Sequence, residues 1–449
     1  MPANPELLDV AARIAEMAGP GEQVEAFVSR GSSTSVKAYG GEVESLTQAT
    51  SAGAGVRVIV DHREGFAYAG TLDEGVVLEA LAEARDNASF GEPDEHNGLA
   101  SPDGVEPADL DLWPEHLADV PTADKVALAL ELEAATTGRD PRVQGVRVAM
   151  FASSLGEGAV ATSTGIRAWG RAGTSYLMVQ ALAREGDETQ IAGGLSVGRE
   201  VTDLSIDEAA DDAVLRATRL LGSTKPETQR VTLVLEPRMT ATILGLIGGM
   251  LNGEAVLKGR SPFADRVGER VASPLLTFVD DPTDPRSLGA EAHDGEGLAC
   301  RRNQLVVDGV LQGFLHNTYT GRRSGTASTG SARRGVSSTP GVGAAALAVH
   351  PGQGTHEEVL AGVDHGLYVT SMAGLHSGVN PVSGDFSVGV EGLMVDGGAL
   401  GQPVREATIA STLQRLLLDI SSVGADLEWL PDGTGGVTLV IPDVALSGA

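Results

Sequence analysis

The stretch VEAFVSRGSSTSVKAYGGEVESLTQATSAGAGVRVIV, Val24 to Val60, decides the fold class. β-branched and apolar residues gather at Val24–Val28, Thr34–Tyr39 and Gly55–Val60, and Gly/Ser clusters separate them. That pattern predicts a meander of short strands. On its N-terminal side, Leu7, Leu8, Ala11, Ile14 and Ala15 recur at helical spacing between Pro5 and Met17, and Gly19-Pro20-Gly21 stops the helix. On its C-terminal side, Thr71-Leu72-Asp73-Glu74 reads as the cap of a helix running to about Asn87. Helix, meander and helix in this order give an α+β class rather than a doubly wound sheet.

Working outward, Gly91 to about Glu115 is rich in Asp, Glu and Pro, and reads as a solvated connection in preference to an acidic docking segment. A helix over Val120–Ala135 follows. Strand-like runs at Val143–Phe151, Tyr176–Ala183 and Gln190–Leu195 predict a second antiparallel layer, and Ile206–Leu221 another helix. Gly222-Ser223-Thr224-Lys225-Pro226 has linker composition. An N-terminal α/β-meander region over 1–225, with a sub-boundary in the acidic loop 91–120, is therefore expected to precede a β-rich C-terminal domain over 226–449.

In that domain Val231–Leu235 feeds, through Glu236-Pro237, a central helix from about Arg238 to Leu257. Asp308-Gly309 between apolar runs in Leu305–Leu315 signals a β-hairpin with a primed turn. Strands are expected near Ala344–Val349, Gly366–Thr370 and Phe386–Val395, a helix at Ser411–Ser421 and a closing strand at Val437–Ile441.

Composition removes whole classes of function. Of 449 residues, 61 are Asp or Glu and 32 Lys or Arg, a formal charge of −29 that repels nucleic acid and anionic lipid. A single cysteine, Cys300, excludes internal disulfides and Cys-rich metal sites. The most apolar run, Thr240–Leu251, is too short for a bilayer, which needs roughly 20 residues. The N-terminus MPANPELLDV lacks a basic, then apolar, leader, so a cytoplasmic chain is expected.

Few residues carry obvious chemistry. No two of the nine histidines stand four apart on a helix, and His356-Glu357-Glu358 begins like a zincin helix but meets Leu360. His293, Asp294 and Glu296 form only a weak metal-site candidate. Cys300 precedes Arg301 and Arg302, which would lower a thiol pKa, yet it has no identifiable histidine partner; an inert thiol is the better reading. GRRSGTASTGSARRG, Gly321–Gly335, offers four arginines and close backbone approach, suited to a carboxylate or a peptide backbone. It lacks the lysine and spacing of a phosphate-binding loop. Gly245, Gly248 and Gly249 inside the central helix cost about 1 kcal/mol each relative to alanine, which implies close packing or space cleared beside a groove.

At this helix a resemblance emerges. Ser261-Pro262-Phe263 with Val267-Gly268-Glu269, Val279-Asp280-Asp281, Asp294-Gly295-Glu296-Gly297, Ser328-Thr329-Gly330-Ser331-Ala332-Arg333 and Val382-Ser383-Gly384-Asp385-Phe386-Ser387 together resemble the TldD/PmbA family, once named modulators of DNA gyrase. The resemblance implies two branches that associate into one zinc-dependent protease acting on unfolded or leader-type peptides. One branch carries an H-E-x-x-x-H helix and a later cysteine. Aligned through Lys258-Gly259-Arg260-Ser261, the two histidine positions fall on Leu244 and Gly249 and the glutamate position on Gly245; the tail has no cysteine.

The resemblance thus implies the TldE/PmbA branch: a non-catalytic subunit without a cofactor of its own, whose HExxxH partner subunit holds the zinc. Ser328, Thr329, Gly330, Arg333 and Arg334, with Gly384, Asp385, Phe386 and Ser387, are the expected lining of the peptide groove or partner interface. Two alternatives stand beside this reading. One is an independent hydrolase with a metal on His293, His316 and His376; the other is a chaperone-like homodimer that holds unfolded peptides.

Overall fold

A computed structural model describes residues 5–448; Met1–Asn4, the start of the N-terminal stretch read above for a leader, and Ala449 lie outside them. Helix α1 (Pro5–Ala15) leads into a hairpin of two long strands, β1 (Glu22–Tyr39) and β2 (Glu42–Val60), turned by Gly40 and Gly41, both at positive φ. β3 (Arg63–Ala69) follows, then α2 (Glu74–Phe90), whose N-cap Asp73 accepts hydrogen bonds from the Gly75 and Val76 N–H groups. After the acidic connection come α3 (Thr122–Gly138), β4 (Val143–Thr162), β5 (Arg167–Glu185), β6 (Glu188–Gly198) and α4 (Ile206–Arg219).

Two expectations are corrected here. The short strands of the meander are continuous through Gly31-Ser32-Ser33, because that segment is paired on both sides, Gly31 with Ser51 and with Gly156. The later strands do not form a second layer. They extend the same antiparallel sheet, in the order β3-β2-β1-β4-β5-β6, since β1 pairs with β4 from Glu25↔Thr162 to Ala38↔Ala149. Side chains alternate across a strand. Val24, Ala26, Val28 and Val36 of β1 turn to the face that carries α1 to α4, where two apolar cores form. The opposite face, with Phe27, Ser29 and Gly31, carries no helix and looks toward the C-terminal half.

That half runs β7 (Gln229–Leu235), α5 (Pro237–Met250), α6 (Gly253–Leu257), β8 (Phe278–Asp280), β9 (Asn303–Val307), β10 (Val310–Leu311), α7 (Thr318–Arg323), β11 (Ala332–Arg333), β12 (Gly341–Val342) and β13 (Leu347–Val349). It continues with α8 (His356–Ala361), β14 (His365–Ala373), α9 (Leu375–Gly378), β15 (Asp385–Asp396), β16 (Ala399–Thr412), α10 (Leu413–Leu418), β17 (Ser422–Val423), β18 (Glu428–Trp429), β19 (Gly435–Gly436) and β20 (Leu439–Ser447). One sheet has the order β16-β15-β14-β7-β20-β17, and a β16–β20 pairing from Thr408↔Ser447 to Ala410↔Ala445 curls it back on itself. A second has the order β10-β9-β8-β13-β19-β18.

Helix α5 lies at the centre. Its Ile243, Leu244, Ile247 and Met250 share one core with Leu233 and Val388 of the first sheet and Phe278, Val306 and Leu347 of the second. The expected single helix to Leu257 is instead two. Asn252 breaks it by accepting from the Glu254 N–H and so capping α6. The helix expected from Ser411 starts later, because Ser411 and Thr412 finish β16 and Thr412 then caps α10. The Asp308-Gly309 hairpin is as expected, with φ of 48° and 78° at its two turn residues.

Candidate functional site

The two halves meet on the helix-free face of the N-terminal sheet, and the contact is ionic at its centre. Arg57 of β2 donates to both Glu25 oxygens of β1 at 3.0 Å each, and to Glu296 of the C-terminal half at 3.5 Å. Arg334 closes on Glu25 from the other side and lies 5.1 Å from the Phe27 ring centroid. The Arg334 and Glu25 side chains are both 0% exposed. Burial pushes the Glu25 carboxyl up, but the charges of Arg57 and Arg334 outweigh it and hold Glu25 below its ordinary value. Glu296 also accepts from the Thr318 N–H at 2.8 Å, at the first turn of α7. Arg334, expected in the peptide groove or the partner interface, lies in a junction between the two halves of the chain.

Arg333 points into a neighbouring acidic cluster and pairs with Glu291 at 2.5 Å. Cys300 donates to the same carboxylate at 3.5 Å. Burial, with the negative charges of Glu291 and Asp294, raises the thiol far above its ordinary range. The two adjacent arginines do not activate it: Arg301 pairs with Asp103 and Arg302 with Asp281. Asp294 accepts from the N–H groups of Glu296, Leu298 and Ala332. Burial, then the charge of Glu296, raises its pKa to about 7.

The rest of the 328–334 loop is also held internally. Ser328 and Thr329 donate to the His316 carbonyl at 3.1 Å each. Gly330 sits at φ 69°, where a Cβ would come 2.6 Å from the Ala299 carbonyl. The second predicted segment lies elsewhere. Gly384 and Asp385 form a turn against Ser383 and Gln414, Ser387 pairs with Ala410 in the β15–β16 ladder, and Phe386 is buried in the C-terminal core. Among the described residues no hydrogen bond or ion pair joins the two segments.

The histidines are equally dispersed. Burial lowers the pKa of His293 and of His316, and His316 Nδ1 lies 3.2 Å from Thr320 Oγ1. His376 sits on the short α9. No group of three or more His, Cys, Asp and Glu side chains that could hold a metal occurs among the described residues.

On α5, Leu244 is buried in the core, whereas Gly245 and Gly249 lie on the exposed side, where an added Cβ would meet nothing within 4 Å. Gly248, in contrast, faces Leu347 Cδ2, 2.7 Å from where its Cβ would be. The helix thus uses one glycine for packing and leaves two beside open space. Zinc needs imidazole, thiolate or carboxylate donors; an aliphatic side chain and two glycines do not fit it.

One feature of the interface was not read from the sequence. A cleft of about 840 Å³ opens between the helix-free sheet face and Ala290–Asp294, with the Pro107–Trp113 part of the acidic connection along its side. Trp113 and Trp169 flank the Arg171 guanidinium, 4.8 and 5.9 Å from their ring centroids. Its sequence signal was the set of glycines within β1, β4 and β5.

Comparison with known proteins accounts for this architecture. Sequence models of the PmbA/TldA metallopeptidase match in three successive parts: domain 1 over 24–88, the central domain over 115–221 and the C-terminal domain over 228–448. The chain belongs to the PmbA/TldD metallopeptidase family. The metalloprotease PmbA of Escherichia coli O157:H7 is 27% identical over 434 residues, 96% of this chain and 93% of that one. A Haemophilus influenzae metalloprotease TldD homologue is 26% identical over 425 residues, 88% and 86% of the two chains. The crystal structure of TldE from Thermococcus kodakarensis superposes with a TM-score of 0.87 at 24% identity, covering 95% of this chain and 97% of that one, a likeness of fold alone. The PmbA/TldD fold is thus a mixed α+β arrangement of a meander sheet and a β-rich C-terminal domain. No helix among the described residues is long and apolar enough to cross a membrane.

Proposed function

We propose that this PmbA/TldD family member is the non-catalytic, metal-free subunit of a TldD/TldE-type zinc metallopeptidase complex that cleaves unfolded or leader-type peptides. The observation that carries the reading is α5: Leu244 is buried in the core, and Gly245 and Gly249 leave open space where the resemblance puts ligand and base positions. The matched relatives include proteins named PmbA and TldD from the one organism Haemophilus influenzae, which accords with a two-subunit arrangement. In this reading the chain shapes and encloses the peptide path, its N-terminal region through 225 docked on a C-terminal domain from 226, in the cytoplasm. The zinc and the water-activating carboxylate belong to an HExxxH partner.

Mixing the purified chain with its HExxxH relative and an unstructured peptide tests this. Cleavage is expected only in the mixture. Cleavage by this chain alone, or full activity of the relative alone, would overturn the proposal.

A further inference from the structure

On the helix-bearing face of the N-terminal sheet, β1 carries hydroxyls where a core strand carries aliphatics. Val28 belongs to one apolar core and Val36 to the other; Ser32 and Thr34 stand between them on the same face. Thr34 is in register with Gln48 of β2 and Ser153 of β4. A cavity of about 360 Å³ lies between these residues and Leu117, Ala118 and Lys125, the last on α3. That volume falls within the roughly 300–1,000 Å³ typical of ligand sites. It borders Gln48–Thr50 of β2, a stretch that β3 does not reach, since β3 pairs with β2 only from Ala54 onward.

Lys125 is the buried one of four lysines; Lys37, Lys225 and Lys258 are exposed. It is 7% exposed, and it forms no hydrogen bond or ion pair among the described residues. Buried charges are ordinarily paired, as Arg57 and Arg334 are by Glu25. Burial lowers the Lys125 pKa with no carboxylate to offset it. The lysine is also the fourth residue of α3, near the helix end whose dipole favours anions, and Pro121 supplies no side-chain cap there. Thr34 and Ser153 are each 8% exposed, and their hydroxyls have no hydrogen-bond partner among the described residues. Three side chains, each more than nine-tenths buried, thus bring free donors to one cavity.

One ammonium balances one negative charge, and the ammonium with two hydroxyls can serve both oxygens of a carboxylate. A phosphate dianion would bring a second charge with no second cation into a chain of net charge −29. Leu117 and Leu155 add apolar wall for a short carbon chain. We propose that this cavity binds a small carboxylate, its oxygens held by Lys125, Thr34 and Ser153. The site lies in the N-terminal half, away from α5, and stands whether or not the subunit reading does. A free short-chain acid and a peptide C-terminus share this chemistry.

The test uses the full chain carrying lysine labelled with carbon-13 at Cε, which gives four side-chain NMR signals. Lys37→Arg, Lys225→Arg and Lys258→Arg, all at exposed positions, assign three of them and leave that of Lys125. Sodium butyrate, acetyl-Ala-Ala with a free carboxylate, its C-terminal amide and inorganic phosphate are titrated separately. A carboxylate should move the Lys125 signal and leave the other three in place, and the amide should bind about tenfold weaker or worse. Folded Lys125→Met should lose binding by calorimetry, and Ser153→Ala should weaken it about threefold or more. A response to butyrate alone supports the site as one for a free acid; a response to the dipeptide acid supports it as one for a chain terminus. An unmoved Lys125 signal with both acids up to about 50 mM overturns the proposal. So does equal binding of acid and amide, phosphate binding tighter than either acid, or binding retained by folded Lys125→Met. Should Lys125→Met fail to fold, Ser153→Ala and the signals of the unaltered chain decide.

Discussion

Arg334→Ala tests whether the two halves are joined by charge. The junction holds Arg57 and Arg334 against Glu25 and Glu296, with Glu64 at its more open side. Removing Arg334 leaves one buried cation facing two buried carboxylates. Breaking such a pair costs about 3–5 kcal/mol, because the stranded charge has lost its partner but not its burial. Local opening of the β1–β2 hairpin should then rise on the order of a hundredfold to a few thousandfold.

Native-state hydrogen exchange at Glu25–Val28 and Val56–Val58 reads this directly, with urea unfolding as a second measure. The pH dependence has a definite sign. Glu25 is held below 4.5 by Arg57 and Arg334, so its stabilisation is present above that value and is lost as pH falls through the depressed pKa. In Arg334→Ala the carboxyl rises, and the deficit should be full at neutral pH and shrink as the pH falls through the raised pKa toward the depressed one of the unaltered chain. A loss below about 1 kcal/mol, the ordinary worth of an exposed ion pair, would refute the argument. So would a pH-independent loss. A purely substrate-binding Arg334 predicts weaker peptide cleavage with stability unchanged.

Three further outcomes are expected. Gly245→Ala and Gly249→Ala should each stabilise the chain by about 0.5–1 kcal/mol, since both positions are helical with space for a Cβ, whereas Gly248→Val should destabilise it against Leu347; a urea series reads all three. Cys300 should resist iodoacetamide at pH 8 in the native chain and react at once on unfolding, by mass spectrometry; native labelling at the unfolded rate would contradict its burial beside Glu291. His356 should titrate above 6.5, raised by its hydrogen bond to Asp426, so its stabilisation is complete below 6.5 and lost as pH rises through the elevated pKa. Asp426→Asn should bring the NMR titration midpoint down, and an unmoved midpoint would dismiss the pairing.

How legible the molecule was depended on the range of the interactions involved. Local rules served well where the deciding atoms are near in sequence. Asp73 caps α2, Asp308-Gly309 turns a hairpin, and glycines at 245 and 249 lie beside open space on α5. The same rules misjudged β1, because Gly31-Ser32-Ser33 looks like a break until β2 and β4 are seen on either side. They also missed β3 and β16, whose positions in their sheets depend on partners rather than on their own patterns.

The sequence alone determined the α+β class, the resemblance carried by its C-terminal motifs, the leucine and glycines at 244, 245 and 249 where that resemblance implies ligand and base positions, and the lack of a disulfide framework. Each follows from residue type at a fixed spacing. Tertiary structure alone decided that Arg334 is buried against Glu25, 309 positions away, and that Cys300 is raised by carboxylates rather than lowered by its neighbouring arginines. It alone drew an acidic loop, read as mere connection, along a cleft floored by glycines from three strands. Burial and charge pairing are properties of neighbours in space, and for Arg334 the deciding neighbour, Glu25, lies across the junction between the two halves.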